Sequence, residues 1–311
     1  MKNYINMIWK GLTDKKVRFH YLTVLGIFNK IPDKKYLEKK FKVILGYEMN
    51  FDDPKTFNEK LQWLKLYDRK AEYTKMVDKY LVREYIKEKI GEKYLIPLLG
   101  VWDKPEDIDF SRLPKQFVLK CNHNSGGLCI CRDKSKISEN KIKRKFRKEI
   151  KRNYYLSGRE WPYKNISRKI VCEKYMEDEQ QKQLIDYKFY CFNGEPRFLY
   201  VSQGLENHNT ARISFLKMDW SFADFSRSDY PPFDELPKKP DKYFEMIEIA
   251  KKLSMGIPFL RVDLYEIRNQ IYFGELTFSP CSGMMPFVPK EADLMLGELL
   301  ELNQKDEFMG G

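Results

Sequence analysis

Two acids late in the chain stand where a divalent cation can be held. They lie in Phe259-Leu-Arg-Val-Asp-Leu-Tyr265 and Ile271-Tyr-Phe-Gly-Glu-Leu-Thr277, two strand-like runs separated by a turn around Asn269. Side chains alternate faces along a strand, so Leu260, Val262 and Leu264 share one face while Arg261 and Asp263 share the other. On the return strand Gly274 and Leu276 point one way, and Glu275, Thr277 and Ser279 the other. Antiparallel pairing about Asn269 then puts Asp263 opposite Glu275 and Arg261 opposite Thr277. Directly opposed residues have Cβ atoms about 5 Å apart, where like charges repel. Something must neutralise them. Arg261 alone would do so on a solvated sheet face, but the apolar opposite face makes this hairpin half-buried. Magnesium uses one or two carboxylates at such a spacing, completing its shell with water and phosphate oxygens.

A second candidate is Lys120, at the end of the strand-like run Gln116 to Lys120. It is followed by Cys121-Asn-His-Asn-Ser-Gly-Gly127 and a further strand, Leu128 to Arg132. A small polar loop ending in Gly-Gly between two strands makes a hairpin whose free N–H groups can close over phosphates, with Lys120 supplying charge at its mouth. Neither a Gly-x-x-x-x-Gly-Lys-Ser/Thr loop nor a Gly-x-Gly-x-x-Gly fingerprint is present. His123 reads as a polar surface residue of the loop. The third candidate is Val171-Cys-Glu-Lys-Tyr-Met176, a strand running into a polar stretch that ends at Ile185-Asp-Tyr-Lys188. Such a strand exit offers backbone groups to a base edge and a carboxylate to sugar hydroxyls.

Several elements must position these groups. Residues 1 to about 70 read as helical, with Thr56-Phe-Asn-Glu59 a capping box opening a helix that turns Leu61, Leu64 and Trp63 inward. A helix is predicted over Met76 to Ile90, with Asp78 near its start and Gly91 as its stop. Strands are predicted at Ile170 to Tyr175, Tyr187 to Phe192 and Arg197 to Val201, the last two joined by Asn193-Gly194, a strong hairpin signal. A loop-rich stretch from Asp219 to Pro240 leads to a helix over Tyr243 to Leu253, closed by Gly256. Helices mixed with antiparallel pairs predict an α+β fold rather than a regular βαβ array.

The 311 residues carry 57 Lys and Arg against 45 Asp and Glu, a net charge of +12, and 15% are aromatic, which excludes a disordered or low-complexity chain. The excess charge is concentrated. Met1 to Asn50 holds 11 basic and 4 acidic residues and Lys134 to Arg152 holds 10 and 2, leaving the remainder at −3. In the second run Ile142, Phe146 and Ile150 recur at four-residue spacing behind Ser138, the pattern of a capped helix with one packed stripe and a wet face. In the first run the charges alternate with Trp9, Phe19, Tyr21, Leu25, Ile27 and Phe28. That mixture suits ordinary packed helices, an anionic membrane surface or a bulky acidic substrate better than nucleic acid. No apolar run approaches the roughly 18 residues of a spanning helix, and the first residues lack the features of a secretory signal. Six cysteines without Cys-x-x-Cys spacing, with three scattered histidines, predict reduced thiols, no zinc site and a cytoplasmic location.

Taken in order, Asp78-Lys79-x-x-x-Arg83, Phe117-Val-Leu-Lys120 with Ser125-Gly-Gly127, Cys172-Glu-Lys-Tyr175, Asp186-Tyr-Lys188, and Arg261-Val-Asp263 with Glu275-Leu-Thr277 resemble the ATP-grasp superfamily. Within it the likeness is to the TupA-like branch, named for teichuronopeptide synthesis and found in capsule and cell-wall polysaccharide clusters. The resemblance covers about residues 50 to 300 and rests on the ordered set rather than on any one motif. It implies two α+β subdomains gripping ATP. A helical basic region at 1–70 would precede a first subdomain with the glycine-loop hairpin at 71–171. A second subdomain with the metal-binding hairpin would span 172–302, and 303–311 would form a tail.

It also implies roles. Lys120 and Arg83 would hold the α and β phosphates, with Ser125, Gly126 and Gly127 covering them. The segment Glu173, Lys174, Tyr175, Met176 would receive adenine, Asp186 would face ribose and Lys188 would approach phosphate. Arg261, together with Lys120 and Lys188, would stabilise the transferring phosphoryl group, and Asp263, Glu275 and Thr277 would hold Mg2+. Thr277 departs from the usual Asn, and its hydroxyl reaches less far. The implied chemistry is ATP-dependent joining of a carboxylate, such as a uronic acid in a sugar polymer or lipid-linked precursor, to an amine or amino acid. Lys174, Glu195, and His208 with Arg212 are candidates on the substrate side that the sequence does not rank. Two rivals differ in kind. A glycosyltransferase or phosphotransferase of polysaccharide synthesis would be stabilised by a nucleotide-sugar, and a polyanion-binding module would lose its ligand steeply with salt and ignore substitution of Asp263.

Overall fold

A computed structural model describes residues 13–177, 185–204 and 211–302. The helical start holds α1 (Lys15–Val24), capped by the Asp14 carboxylate on the Lys16 and Val17 amides, and α2 (Asp33–Leu45), stopped by Gly46 at φ 88°. The capping box forms as expected: the Thr56 side chain accepts from the Glu59 amide at the start of α3 (Phe57–Tyr67), and Glu59 accepts in return from Thr56. Leu61 and Trp63 are buried.

The single helix expected over Met76 to Ile90 is two. α4 (Ala71–Val77) ends at Asp78, whose backbone is extended, and α5 (Val82–Lys89) follows. The Asp78 carboxylate captures the amides of Tyr80 and Leu81, at 2.8 and 3.2 Å, and so ends one helix and starts the turn into the next. Met76, Val77, Val82 and Ile86 are all buried, so the apolar spacing runs on across the break and hides it.

The remaining elements in chain order are β1 (Leu98–Trp102), β2 (Phe117–Cys121), β3 (Leu128–Cys131), α6 (Glu139–Glu149), the short α7 (Tyr155–Gly158), β4 (Ile170–Lys174), β5 (Ile185–Phe192), β6 (Glu195–Gln203), β7 (Arg212–Lys217) and β8 (Ser226–Arg227). They close with α8 (Tyr243–Ser254), β9 (Phe259–Ile267), β10 (Gln270–Thr277), β11 (Phe287–Val288) and α9 (Glu291–Glu298). The expected strands appear within a residue or two of their predicted ends; β1, β7 and the two-residue β8 and β11 have no counterpart among them. α6 is capped by Ser138 and buries Ile142 and Phe146. Asn193-Gly194 turns β5 into β6, both with positive φ.

The strands form two antiparallel sheets, ordered β1-β4-β2-β3 and β10-β9-β5-β6-β7. The four-stranded sheet buries Phe117, Leu119, Cys131, Ile170 and Cys172 against α6, leaving Lys120 and Glu173 on its other face. One face of the five-stranded sheet packs Phe189, Leu199, Val262, Leu264 and Leu276 on α8. Its opposite face is divided. Tyr190, Phe192, Phe215 and Phe259 pack with Phe57 of α3 at one end. Asp186, Lys188, Ser202, Asp263 and Glu275 occupy the other. The two sheets thus meet with polar faces inward beside the break at Asp78.

Candidate active site

The hairpin of β9 and β10 has the expected register: Glu275 opposes Asp263 and Thr277 opposes Arg261. Its turn places Arg268 and Asn269 at φ 50° and 59°, the two-residue hairpin geometry. Strict alternation does not hold, because Ile271, Phe273 and Leu276 all face the core. The register shifts between Phe273 and Glu275, and Gly274 is the extra residue of a bulge. A Cβ there would lie 2.8 Å from the Tyr265 ring and 3.1 Å from the Asp263 carbonyl, so glycine is what lets β10 bring Glu275 to the face of Asp263.

Around this pair each acid is covered by cations. Arg261 grips Asp263 with both arms, Nε to Oδ1 at 2.7 Å and Nη2 to Oδ2 at 2.6 Å, and lies 3.8 Å from Glu275. Lys188 Nζ is 4.0 Å from Asp263 and 2.8 Å from Asp186, and it donates to Ser202 Oγ at 3.3 Å. Lys79 Nζ stands 3.5 Å from Glu275. The consequences for the two acids differ. Burial pushes the Asp263 carboxyl up, with Arg261 and Lys188 pulling against it. Burial pushes on Glu275 too, but Lys79 and Arg261 outweigh it and hold that carboxyl below its usual range. Arg261, although buried, is driven further toward its charged form by Asp263.

A narrow cleft lies between the sheets. Its walls include the apolar Val77, Val82, Ile96 and Phe273, the cations Lys79, Arg83 and Lys120, and the acids Glu173 and Glu275. Lys120 Nζ is 2.6 Å from Glu173 Oε2, and Arg83 Nη1 is 3.6 Å from the other oxygen of that carboxylate. The glycine loop closes one flank without lining the cleft. Its Gly127 amide donates to Asn124 Oδ1 at 2.8 Å, and a Cβ on Gly127 would collide with the Cys121 thiol at 2.5 Å.

Four of the candidates named from sequence therefore share the cleft wall: Arg83, Lys120, Glu173 and Glu275. Arg261, Asp263, Asp186 and Lys188 form the adjoining network on the sheet face. Beyond Glu173 the strand exit disperses. Lys174 is exposed, with its amide bound to the Pro97 carbonyl, and Tyr175 accepts from Arg132 on the outer edge; Met176 is half-exposed. Glu195 pairs with Lys251 and Arg212 with Asp234, both away from the cleft. His208 lies outside the described residues. His123 is not a surface residue: it is buried, within 3.2 Å of the Arg152 carbonyl, and burial holds its pKa at about 4.

Two residues of the site had no role from sequence. Lys79, exposed to the cleft by the helix break, donates to the Asn124 carbonyl at 3.0 Å and so ties the glycine loop to Glu275. Its signal was the Asp78 cap, which read as a helix start. Tyr265, two residues beyond Asp263 on the same face, lies near Asp186, whose charge, with burial, pushes the phenol far up. Strand alternation alone would have found it.

Thr277 Oγ1 is buried without a hydrogen-bond partner. An orphaned oxygen on the strand of Glu275 and across from Arg261 fits a donor set that lacks its ligand. Among the described residues no group of three or more His, Cys, Asp or Glu side chains could hold a metal. The acid pair thus suits a hard cation that takes most of its oxygens from phosphate and water.

A family model described as TupA-like ATPgrasp matches residues 59–301. No curated protein matches the chain. Among solved structures, the chain is similar to a D-alanine–D-alanine ligase from Bacillus anthracis complexed with ATP. The identity is 15%, with 65% of this chain and 55% of that one covered, at a TM-score of 0.38. It is also similar to an ATP-grasp RimK domain protein from Sphaerobacter thermophilus, at 12% identity, 78% and 71% coverage and a TM-score of 0.41. A D-alanine–D-alanine ligase from Helicobacter pylori matches at 16% identity, 79% and 69% coverage and a TM-score of 0.39. The chain spans little more than half the length of the first of these.

Proposed function

The chain belongs to the TupA-like ATP-grasp family, and from that premise we propose that it is an ATP- and Mg2+-dependent ligase joining a carboxylate to an amine. The observation that carries the reading is Asp263 set opposite Glu275, under Arg261, at the edge of a cleft that also holds Arg83 and Lys120. In this reading 71–171 and 172–302 are the two subdomains that grip the nucleotide.

Among the described residues the cations directed at the cleft are parked on acids: Lys120 and Arg83 on Glu173, Lys188 on Asp186, Arg261 on Asp263 and Lys79 on Glu275. Phosphate oxygens would take the place of these acids, which keeps the cost of desolvating the cations small. Lys120 and Arg83 then bind the α and β phosphates, Ser125 to Gly127 cover them, and Lys188 approaches the γ-phosphate. Asp263, Glu275 and Thr277 would hold Mg2+, which when bound neutralises charge on the phosphate oxygens.

A substrate carboxylate oxygen attacks the γ-phosphorus as the bond to ADP breaks, and Arg261, with Lys120 and Lys188, spreads the charge on the transferring group. The resulting acyl phosphate loses phosphate to an attacking amine, which sheds a proton to give the amide. The glycine loop, tied through Asn124 to Lys79, keeps water from the acyl phosphate.

The net positive charge supports an acidic carboxylate donor, and the family's name supports a uronic acid or similar sugar of cell-surface polysaccharide. The second substrate would be an amine or amino acid. A lipid-linked form of that precursor would bring the enzyme to the inner face of the membrane. ADP release over a panel of uronic acids and amines tests the reading: release should require one member of each class together with magnesium. Release with a nucleotide-sugar donor and no carboxylate would contradict it.

A further inference from the structure

The turn joining α1 to α2 exposes Val24, Leu25 and Ile27, with 64, 74 and 62% of their surfaces open to solvent. Single exposed apolar residues are ordinary, but three within four positions make a patch. They do not sit on a loose loop. Gly26 turns the chain at φ 78°, and a Cβ there would come within 2.8 Å of Asn29. Beneath, Phe19 stacks on Phe28 at 4.8 Å and meets Tyr36 at 5.7 Å, so the turn rests on a packed aromatic base that holds its tip outward.

The rim of the tip is cationic. Residues 13–46 hold nine Lys and Arg against three Asp and Glu. Arg18, seven residues before Leu25 and hence on the same side of α1, and Lys30, three beyond Ile27, are exposed and make no ion pair among the described residues. Asp33, which could neutralise the rim, is turned inward to Arg69 at 3.0 Å and accepts from the Tyr155 hydroxyl.

A soluble polyanion would satisfy the cations and leave the apolar tip in water, and a second copy of this surface would meet it with like charge. A bilayer with anionic headgroups satisfies both. We propose that the α1–α2 turn is a docking surface for an anionic lipid bilayer, with Val24, Leu25 and Ile27 entering the acyl boundary and Arg18 and Lys30 meeting lipid phosphates. This deepens the reading of a lipid-linked substrate, but vesicle binding is measured without any ligase activity, so either can fail alone.

The test is sedimentation of the full chain with phosphatidylcholine vesicles, with and without phosphatidylglycerol, beside retention on heparin. Pelleting should need phosphatidylglycerol and weaken with salt. Leu25→Glu with Ile27→Glu, and separately Arg18→Glu with Lys30→Glu, should each lower vesicle binding at least about tenfold. Circular dichroism and melting temperature should stay unchanged, as should ADP release on soluble substrates. Absence of pelleting by the wild type would overturn the proposal. So would pelleting unaffected by Leu25→Glu/Ile27→Glu, or heparin retention without vesicle binding.

Discussion

Lys79 occupies the point where three parts of the site meet. Its amide donates to the Asn122 carbonyl at 3.2 Å, and its ammonium reaches both the Asn124 carbonyl and Glu275. The ion pair is long and one end is a third exposed, so its worth to folding is at most about 1 kcal/mol. Its worth to ligand binding is larger under the proposed function, because it ties the glycine loop, which would cover phosphate, to Glu275. Lys79→Met should therefore raise KM for ATP about tenfold while shifting the melting temperature by no more than a few degrees, and Lys79→Arg should recover part of the loss. Steady-state kinetics with a parallel thermal melt checks this, and an unchanged KM would remove Lys79 from the site.

At the scale of elements, the loop after β10 is held in an unusual shape. Cys281, Ser282 and Gly283 follow one another at φ 51°, 56° and 63°, a left-handed run that costs about 1 kcal/mol at each non-glycine residue. α3 supplies the restraint: Lys65 Nζ donates to the Ser282 and Gly158 carbonyls at 2.7 and 2.9 Å, and Gln62 donates to the Gly283 carbonyl at 2.5 Å. Burial brings the Lys65 pKa down to about 7, with Glu160 opposing it. Below pH 7 both folded and unfolded chains carry this proton, so its effect on stability is level. Above pH 7 the folded chain has released a proton that the unfolded chain keeps until about 10.5, so stability rises with pH. Lys65→Met should flatten that rise and, by leaving carbonyls unpaired, destabilise the chain by about 3 kcal/mol. Urea midpoints from pH 7 to 10 measure both; an unchanged slope would place the titration elsewhere.

The same scale shows what sequence could and could not reveal. The β9–β10 hairpin was legible because alternation and an Asn269 turn are local, and pairing follows from the turn. Its bulge was not, since Gly274 reads as a weak strand residue until Tyr265 packs over it. The break at Asp78 was hidden by apolar spacing that continues through it. The strand exit after Glu173 misled in another way: the side chain of Glu173 turns to Lys120 on the neighbouring strand and to Arg83 of α5, and the second of these contacts is not local in sequence.

For the whole molecule, two sheets meet polar face to polar face, and the cleft between them holds its cations on its own acids. Asp263, 4% exposed, is the anchor of that arrangement. The direct test is calorimetric titration of a non-hydrolysable ATP analogue, with and without magnesium, into the wild type, Asp263→Asn and Glu275→Gln. The wild type should bind more tightly with magnesium, and each variant, shown to be folded by circular dichroism at the titration temperature, should lose most of that gain, a weakening of about tenfold or more. Equal affinity in all three proteins, with the same dependence on magnesium, would contradict the assignment of the acid pair and the ligase built on it.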